Sequence, residues 1–140
     1  MIPYQKPKIL FVCIGNACRS QMAEGFAKSM AGAKIDVFSA GSRPAGFVAR
    51  QTLEVMMEIG IDVSKQTSKG LSQIPQEKYD AIITMGCGDA CPHIATRKRY
   101  DWKIEDPIGR DPQTFQRIRD EIEQKVRSLV QEILPDSSLK

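Results

Sequence analysis

Short apolar runs and longer stretches of helical periodicity follow one another along this chain, and their order is the first structural information it gives. Residues 8–13, K-I-L-F-V-C, are a continuous apolar run ending in a turn at Gly15, the pattern of a parallel strand buried on both faces. Residues 19–30 then place Met22, Ala23, Phe26, Ala27 and Met30 at helical spacing, with Gly32 as the stop. Residues 34–39 read as a second strand, 47–59 as a helix ending at Gly60, 80–85 as a third buried strand and 102–105 as a short fourth. Residues 112–134 carry Phe115, Ile118, Ile122, Val126, Leu129 and Ile133 on one face, opposite Arg and Glu residues, which predicts a long amphipathic closing helix. Strands and helices in this order fold as a parallel sheet with right-handed crossovers and both faces covered. The expected fold is α/β: one three-layer domain over residues 1–140, with a four-stranded parallel sheet flanked by helices and a frayed tail at 135–140.

Composition narrows the function classes. A length of 140 residues suits one domain, and 41% hydrophobic with 26% charged residues excludes disordered and collagen-like chains. The net charge of +3 is too small for a general nucleic-acid or membrane-surface binder and favours a small anionic substrate over a cationic one. The basic run Arg97-Lys98-Arg99 reads as a solvated loop, since no aromatic residues interleave it as in a nucleic-acid interface. No apolar stretch approaches the roughly 18–20 residues that span a bilayer, and the start M-I-P-Y-Q-K-P lacks a signal-peptide core, so the expected location is the cytoplasm. Met22, Met30, Met56 and Met57 lie at helical spacing and predict core filling. His93, the single histidine, reads as a loop imidazole.

The chemistry-bearing residues are the four cysteines and what surrounds them. In a reducing compartment a core of this size needs no disulfide staples, so metal ligation or redox chemistry is the better reading of Cys13, Cys18, Cys87 and Cys91. Four residues separate the first pair and three the second, a poor match to the tight Cys-x-x-Cys pairs of structural zinc sites, and no metal site is assigned. The segment Cys13-Ile14-Gly15-Asn16-Ala17-Cys18-Arg19-Ser20 is the informative stretch: a thiol at a strand end and an arginine at a helix start. A loop joining such ends turns successive backbone N–H groups inward, and these, with the helix N-terminus, bind a tetrahedral oxyanion. Gly15 and Asn16 suit the left-handed dihedrals such a nest requires. Arg19 adds a bidentate fork to two substrate oxygens. The same positive surroundings favour the thiolate of Cys13, the form that attacks, and Ser20 is placed to donate its hydroxyl to that sulfur. Cys18 reads as a small hydrophobe packed under the loop rather than a redox group. Cys87 and Cys91, in M-G-C-G-D-A-C-P, follow the third strand and so belong to the same carboxyl-end rim of the sheet as Cys13.

These residues resemble the low-molecular-weight protein tyrosine phosphatase superfamily and, within it, the arsenate reductases of the thiol-relay type. The shared pieces are C-I-G-N-A-C-R-S-Q-M-A-E-G at residues 13–25, S-A-G at 39–41, G-I-D-V-S-K-Q-T-S at 60–68, E-D-P at 105–107 and the final helix. Phosphatases of this kind continue the loop with Ser-Pro and follow the acidic dipeptide with tyrosines; here Gln21 follows Ser20, and Ile108 and Gly109 follow Pro107, so the reductase branch fits better. The resemblance implies that Cys13 attacks arsenate held by residues 14–20, that Asp106 protonates the leaving oxygen, and that Cys87 attacks Cys13 to release arsenite. It further implies that Cys91 attacks Cys87 and that an external dithiol reduces the Cys87–Cys91 disulfide, thioredoxin first and glutathione with glutaredoxin second. No tightly bound cofactor is expected, and phosphate or sulfate would compete with arsenate. Gly86 and Gly88 flank Cys87 and would permit the backbone change two successive disulfides need. The spacing here departs from the family's Thr-Leu-Cys with its longer gap before Cys-Pro. Two other readings stand beside this one: a low-molecular-weight phosphatase, which needs Cys13, Arg19 and Asp106 but not Cys87, and a metal- or oxyanion-sensing module using the cysteines as ligands.

Overall fold

The computed structural model describes residues 6–86 and 94–135. Four parallel strands, β1 (Lys8–Cys13), β2 (Asp36–Gly41), β3 (Tyr79–Thr84) and β4 (Thr96–Asp101), form one sheet in the order β2-β1-β3-β4. Among the described residues three α-helices accompany the sheet: α1 (Arg19–Ala31) between β1 and β2, α2 (Arg50–Met57) between β2 and β3, and α3 (Pro112–Ile133) after β4. The α/β architecture and the four-stranded parallel sheet agree with the expectation from the apolar runs. No described helix is long and apolar enough to cross a membrane.

Alternate residues of β1 feed two cores, as the period of two along a strand requires. Ile9, Phe11 and Cys13 join the larger core, built with Met22 and Phe26 of α1, Val55 and Met56 of α2, and Phe115, Ile118 and Ile122 of α3. Each fully buried Phe or Ile there contributes on the order of 1.5–3 kcal/mol. Leu10 and Val12 face the other side, where Ile74, Tyr79 and Ile82 pack with the partly buried Phe38 and Leu71. The covering is unequal: all three helices contribute to the first core, while the second face is covered among the described residues by the 3-10 turn Leu71–Gln73 and its neighbours.

Several expectations are corrected. The fourth strand is Thr96–Asp101 rather than 102–105, so the basic run Arg97-Lys98-Arg99 is not a solvated loop but an edge strand. Charged side chains on an edge leave it paired on one side and repel further pairing on the other, which hides the strand from a search for apolar runs. Trp102 follows it, donating its backbone N–H to Thr84 O at 2.8 Å and packing its ring 6.0 Å from that of Phe11. The second strand starts later because Gly32–Lys34 makes a 3-10 turn, and it runs on to Gly41, the partner of Cys13 in the ladder. Helix α2 starts at Arg50 instead of 47, since Ala45 and Ala49 donate their N–H groups to the loop after β1 and hold this stretch extended. Met22, Met30 and Met56 fill the core, but Met57 is 54% exposed because α2 turns it outward.

Candidate active site

The parallel sheet ends Cys13, Gly41 and Thr84 side by side, and the loop from β1 to α1 rises from that edge. Its carbonyl oxygens are held from outside the loop. Cys13 O accepts from Ser42 N–H at 3.2 Å, Ile14 O from Arg43 N–H at 2.8 Å, Gly15 O from Ala45 N–H at 2.9 Å, and Ala17 O from Ala49 N–H at 3.1 Å. Asn16 O accepts from Gln21 Nε2 at 3.0 Å, and Thr52 Oγ1 adds a second donor to Ala17 O at 3.0 Å. A trans peptide points its C=O and the following N–H in opposite directions, so the amides of residues 14–18 turn to the other side. Among the described residues none of the N–H groups of residues 14–20 has a protein acceptor. The start of α1 adds the positive end of its dipole to this row of amides. Of the two residues expected to be left-handed, only Asn16 has a positive φ, 48°.

Close approach of β2 shapes the loop. A Cβ on Gly41 would lie 2.5 Å from Ile14 O and 2.9 Å from Asn16 N, so no larger residue fits where β2 meets the turn.

A chain of hydrogen bonds with one fixed direction ends on Cys13. Lys28 Nζ stands 2.5 Å from the buried Glu24 carboxylate. That carboxylate only accepts, so the contact at 2.5 Å is a donation from Ser39 Oγ to Glu24 Oε1. Asn16 Nδ2 donates to Ser39 Oγ at 3.0 Å and to Ser20 Oγ at 2.7 Å, using both its hydrogens, while Asn16 Oδ1 accepts from Lys69 N–H at 2.9 Å. Ser20 therefore turns its own hydrogen to Cys13 Sγ, 2.9 Å away. The sulfur receives a donor it can use best as a thiolate. Burial pulls the Lys69 ammonium below its usual range, with the Glu24 charge opposing that shift.

Arg19, only 4% exposed, donates from Nη1 to Ile104 O at 3.1 Å and places Nη2 3.6 Å from Asp106 Oδ2. Asp106 is half exposed, and its Oδ1 accepts from Ile108 N–H at 3.1 Å. Glu105 is drawn away from the site by Arg117 and Arg110, which hold its carboxyl below the usual carboxylate range. Cys13, Arg19 and Asp106 line one cleft of about 330 Å³, whose mouth carries the exposed apolar side chains Ile14, Phe47 and Ile108. A larger hollow of about 510 Å³ opens among Lys8, Glu77, Asp80 and Arg97, whose charges already pair with one another. No cysteine is among its described lining residues.

Residues 8–138 match the family described as low molecular weight phosphotyrosine protein phosphatase. The chain belongs to that family. Among its relatives is the glutaredoxin arsenate reductase of Synechocystis sp., 39% identical over 129 residues that cover 90% of this chain and 98% of that protein. An arsenate reductase solved in the phosphate binding state superposes with a TM-score of 0.84 at 38% identity, covering 91% of this chain and 98% of that one. The thioredoxin-dependent arsenate reductase of Corynebacterium glutamicum gives a TM-score of 0.80 at 33% identity, covering 97% of this chain and 66% of that one.

Of the residues expected from sequence, the structure brings Cys13, the loop 14–20, Arg19 and Asp106 to one cleft of this phosphatase-family fold. Cys87, Cys91 and His93 lie outside the described residues. Among the described residues no three His, Cys, Asp or Glu side chains gather as a metal would need. Sequence reasoning missed Gln21, Glu24, Ser39, Thr52 and Lys69. The available signal was polar residues in α1, at 21 and 24, on a helix whose neighbours are almost all small or apolar.

Proposed function

We propose that this chain reduces arsenate to arsenite by a thiol relay that starts at Cys13. The observation that carries the reading is the row of amides of residues 14–20, without a protein acceptor among the described residues, beside a sulfur that accepts from Ser20. Such a cradle stabilises the charge of a tetrahedral oxyanion with donors that are fixed before it arrives. Arsenate takes over the Arg19 fork, and its negative charge repels the Asp106 carboxylate that paired with Arg19 in its absence. Asp106, beside the Arg19 fork, acts as the general acid that delivers a proton to the leaving oxygen. The Cys13 thiolate attacks arsenic, an As–O bond breaks, and the oxygen leaves as water.

The second half belongs to the other cysteine pair. The Cys87 thiolate attacks Cys13 Sγ, the S–As bond breaks, and its electron pair stays on arsenic, which leaves as arsenite with a Cys13–Cys87 disulfide behind. Cys91 then attacks Cys87, returns the Cys13 thiolate, and leaves a Cys87–Cys91 disulfide for an external dithiol. Both electrons come from thiols, so the scheme requires no flavin, nicotinamide or resident metal. Thioredoxin is the first candidate for the reductant and glutathione with glutaredoxin the second; the relatives carry both labels. Phosphate and sulfate share the shape that the cradle recognises and act as competitors.

Arsenite formation by the purified chain, measured with thioredoxin and its reductase and again with glutathione and glutaredoxin, tests the reading. One of the two mixtures sustains turnover, and Cys87→Ser stops after a single attack. Turnover of a phosphomonoester that is unchanged by Cys87→Ser, with no arsenite from either mixture, would replace the reductase by a phosphatase.

A further inference from the structure

Gly86 stands just beyond β3, with a φ of +81°. A Cβ at this position would lie 2.4 Å from Arg19 Nη1 and 3.6 Å from Arg19 Cζ, with Ile104 O 3.7 Å away. The guanidinium thus fills the space a side chain at 86 would occupy. Among the described residues its polar partners are Ile104 O on Nη1 and Asp106 on Nη2. The tight glycines elsewhere meet different neighbours, Gly25 the core side chains Val63 and Met56, and Gly41 the backbone of the loop.

We propose that Gly86 is a positioning residue for oxyanion binding: its bare Cα forms the wall of the slot that holds the Arg19 guanidinium in the cleft. The distinction between stability and binding follows from which atom must yield. Nη1 is the far end of a flexible side chain, so the clash is relieved by moving it, while the φ of +81° adds a separate backbone strain that alanine feels and asparagine largely escapes. The cost of moving Nη1 falls on the ligand, which loses a charge-assisted fork set in place before it binds. The proposal rests on the oxyanion reading of the cleft and not on the reduction step, so inorganic phosphate serves as the probe.

Calorimetric titration of the full chain with phosphate, together with arsenate KM, kcat and thermal midpoint, tests it in Gly86→Ala, Gly86→Asn, Arg19→Lys and the double variant Arg19→Lys/Gly86→Ala. Gly86→Ala weakens phosphate binding about ten- to hundredfold, the range one lost charge-assisted contact commands. Arsenate KM rises more than kcat falls, and the thermal midpoint drops by a few degrees in Gly86→Ala, where alanine is strained at a φ of +81°, and by less in Gly86→Asn. Asparagine accepts left-handed backbone but carries a Cβ, so Gly86→Asn shows the same loss. In the Arg19→Lys background, which lacks the planar fork, Gly86→Ala adds less than about twofold. Wild-type affinity in Gly86→Asn would show that the position needs glycine for its φ alone. An equal further loss in the double variant would show that Gly86 acts independently of Arg19. Either result overturns the proposal while leaving the cleft's reading intact; failure of the unmodified chain to bind phosphate overturns both.

Discussion

Cys13 and Cys18 sit at the two ends of one loop, with 2% and 3% of their surface exposed, and the loop treats them oppositely. Around Cys18, burial penalises the thiolate, and the nearby Asp106 and Cys13 add to that penalty. A hydrogen bond with Thr52 opposes it only in part, and the thiol is pushed up to about 11. Cys13 is buried to the same degree, but a hydroxyl whose direction is set by Asn16 points its hydrogen at the sulfur. The comparison separates burial from hydrogen bonding: two equally buried thiols differ in the donor aimed at Cys13, whose direction is set back through Asn16 and Ser39 to the Glu24 carboxylate.

The largest effect that would break this contrast is on turnover. Cys13→Ser should lower arsenite formation by more than about a thousandfold, since the attacking sulfur is gone. Cys18→Ala should keep turnover within a few-fold and cost on the order of 1 kcal/mol of stability for the small void beneath the loop. Equal loss in both variants, measured by arsenite formation on folded protein, would mean that the two sulfurs share the chemistry. A smaller effect sharpens the contrast. Ser20→Ala removes the donor to Cys13 and leaves one Asn16 hydrogen without its acceptor. The initial attack should slow by about ten- to hundredfold, as expected for a hydrogen bond to a charged group. A stopped-flow measurement of the first step checks this.

Helices α1 and α3 were legible because their apolar residues face one core, and β1 because its unbroken apolar run is buried on both faces of the sheet, so local pattern and packing agree. Strand β4 was illegible for the opposite reason: as an edge it carries charge where a central strand carries apolar residues. The start of α2 was misread because tertiary hydrogen bonds from Ala45 and Ala49 to the loop outweigh the local helical pattern, leaving Phe47 63% exposed at the cleft mouth. In the site, Cys13 and Arg19 could be found from a strand end and a helix start, which fix each other locally. Asp106, 93 residues from Cys13 in sequence, needed the family resemblance, since an Asp-Pro alone reads as a turn. Ser39 and Lys69 could not be found, because each takes its meaning from partners distant in sequence, whereas Glu24 left only the signal of a charged residue among the small and apolar neighbours of α1. Gly86 likewise reads as a loop glycine until the guanidinium beside it is seen.

The most direct measurement is the rate at which each of these two thiols is alkylated by iodoacetamide, resolved by peptide mass spectrometry, with pH and phosphate varied. Desolvation raises the Cys18 value, so its thiolate is withheld until the pH nears about 11. The account predicts that Cys13 is modified at neutral pH, that phosphate protects it saturably, and that Cys18 stays unmodified through that range. Equal labelling of the two at pH 7, or Cys13 labelling that phosphate leaves untouched, would contradict it.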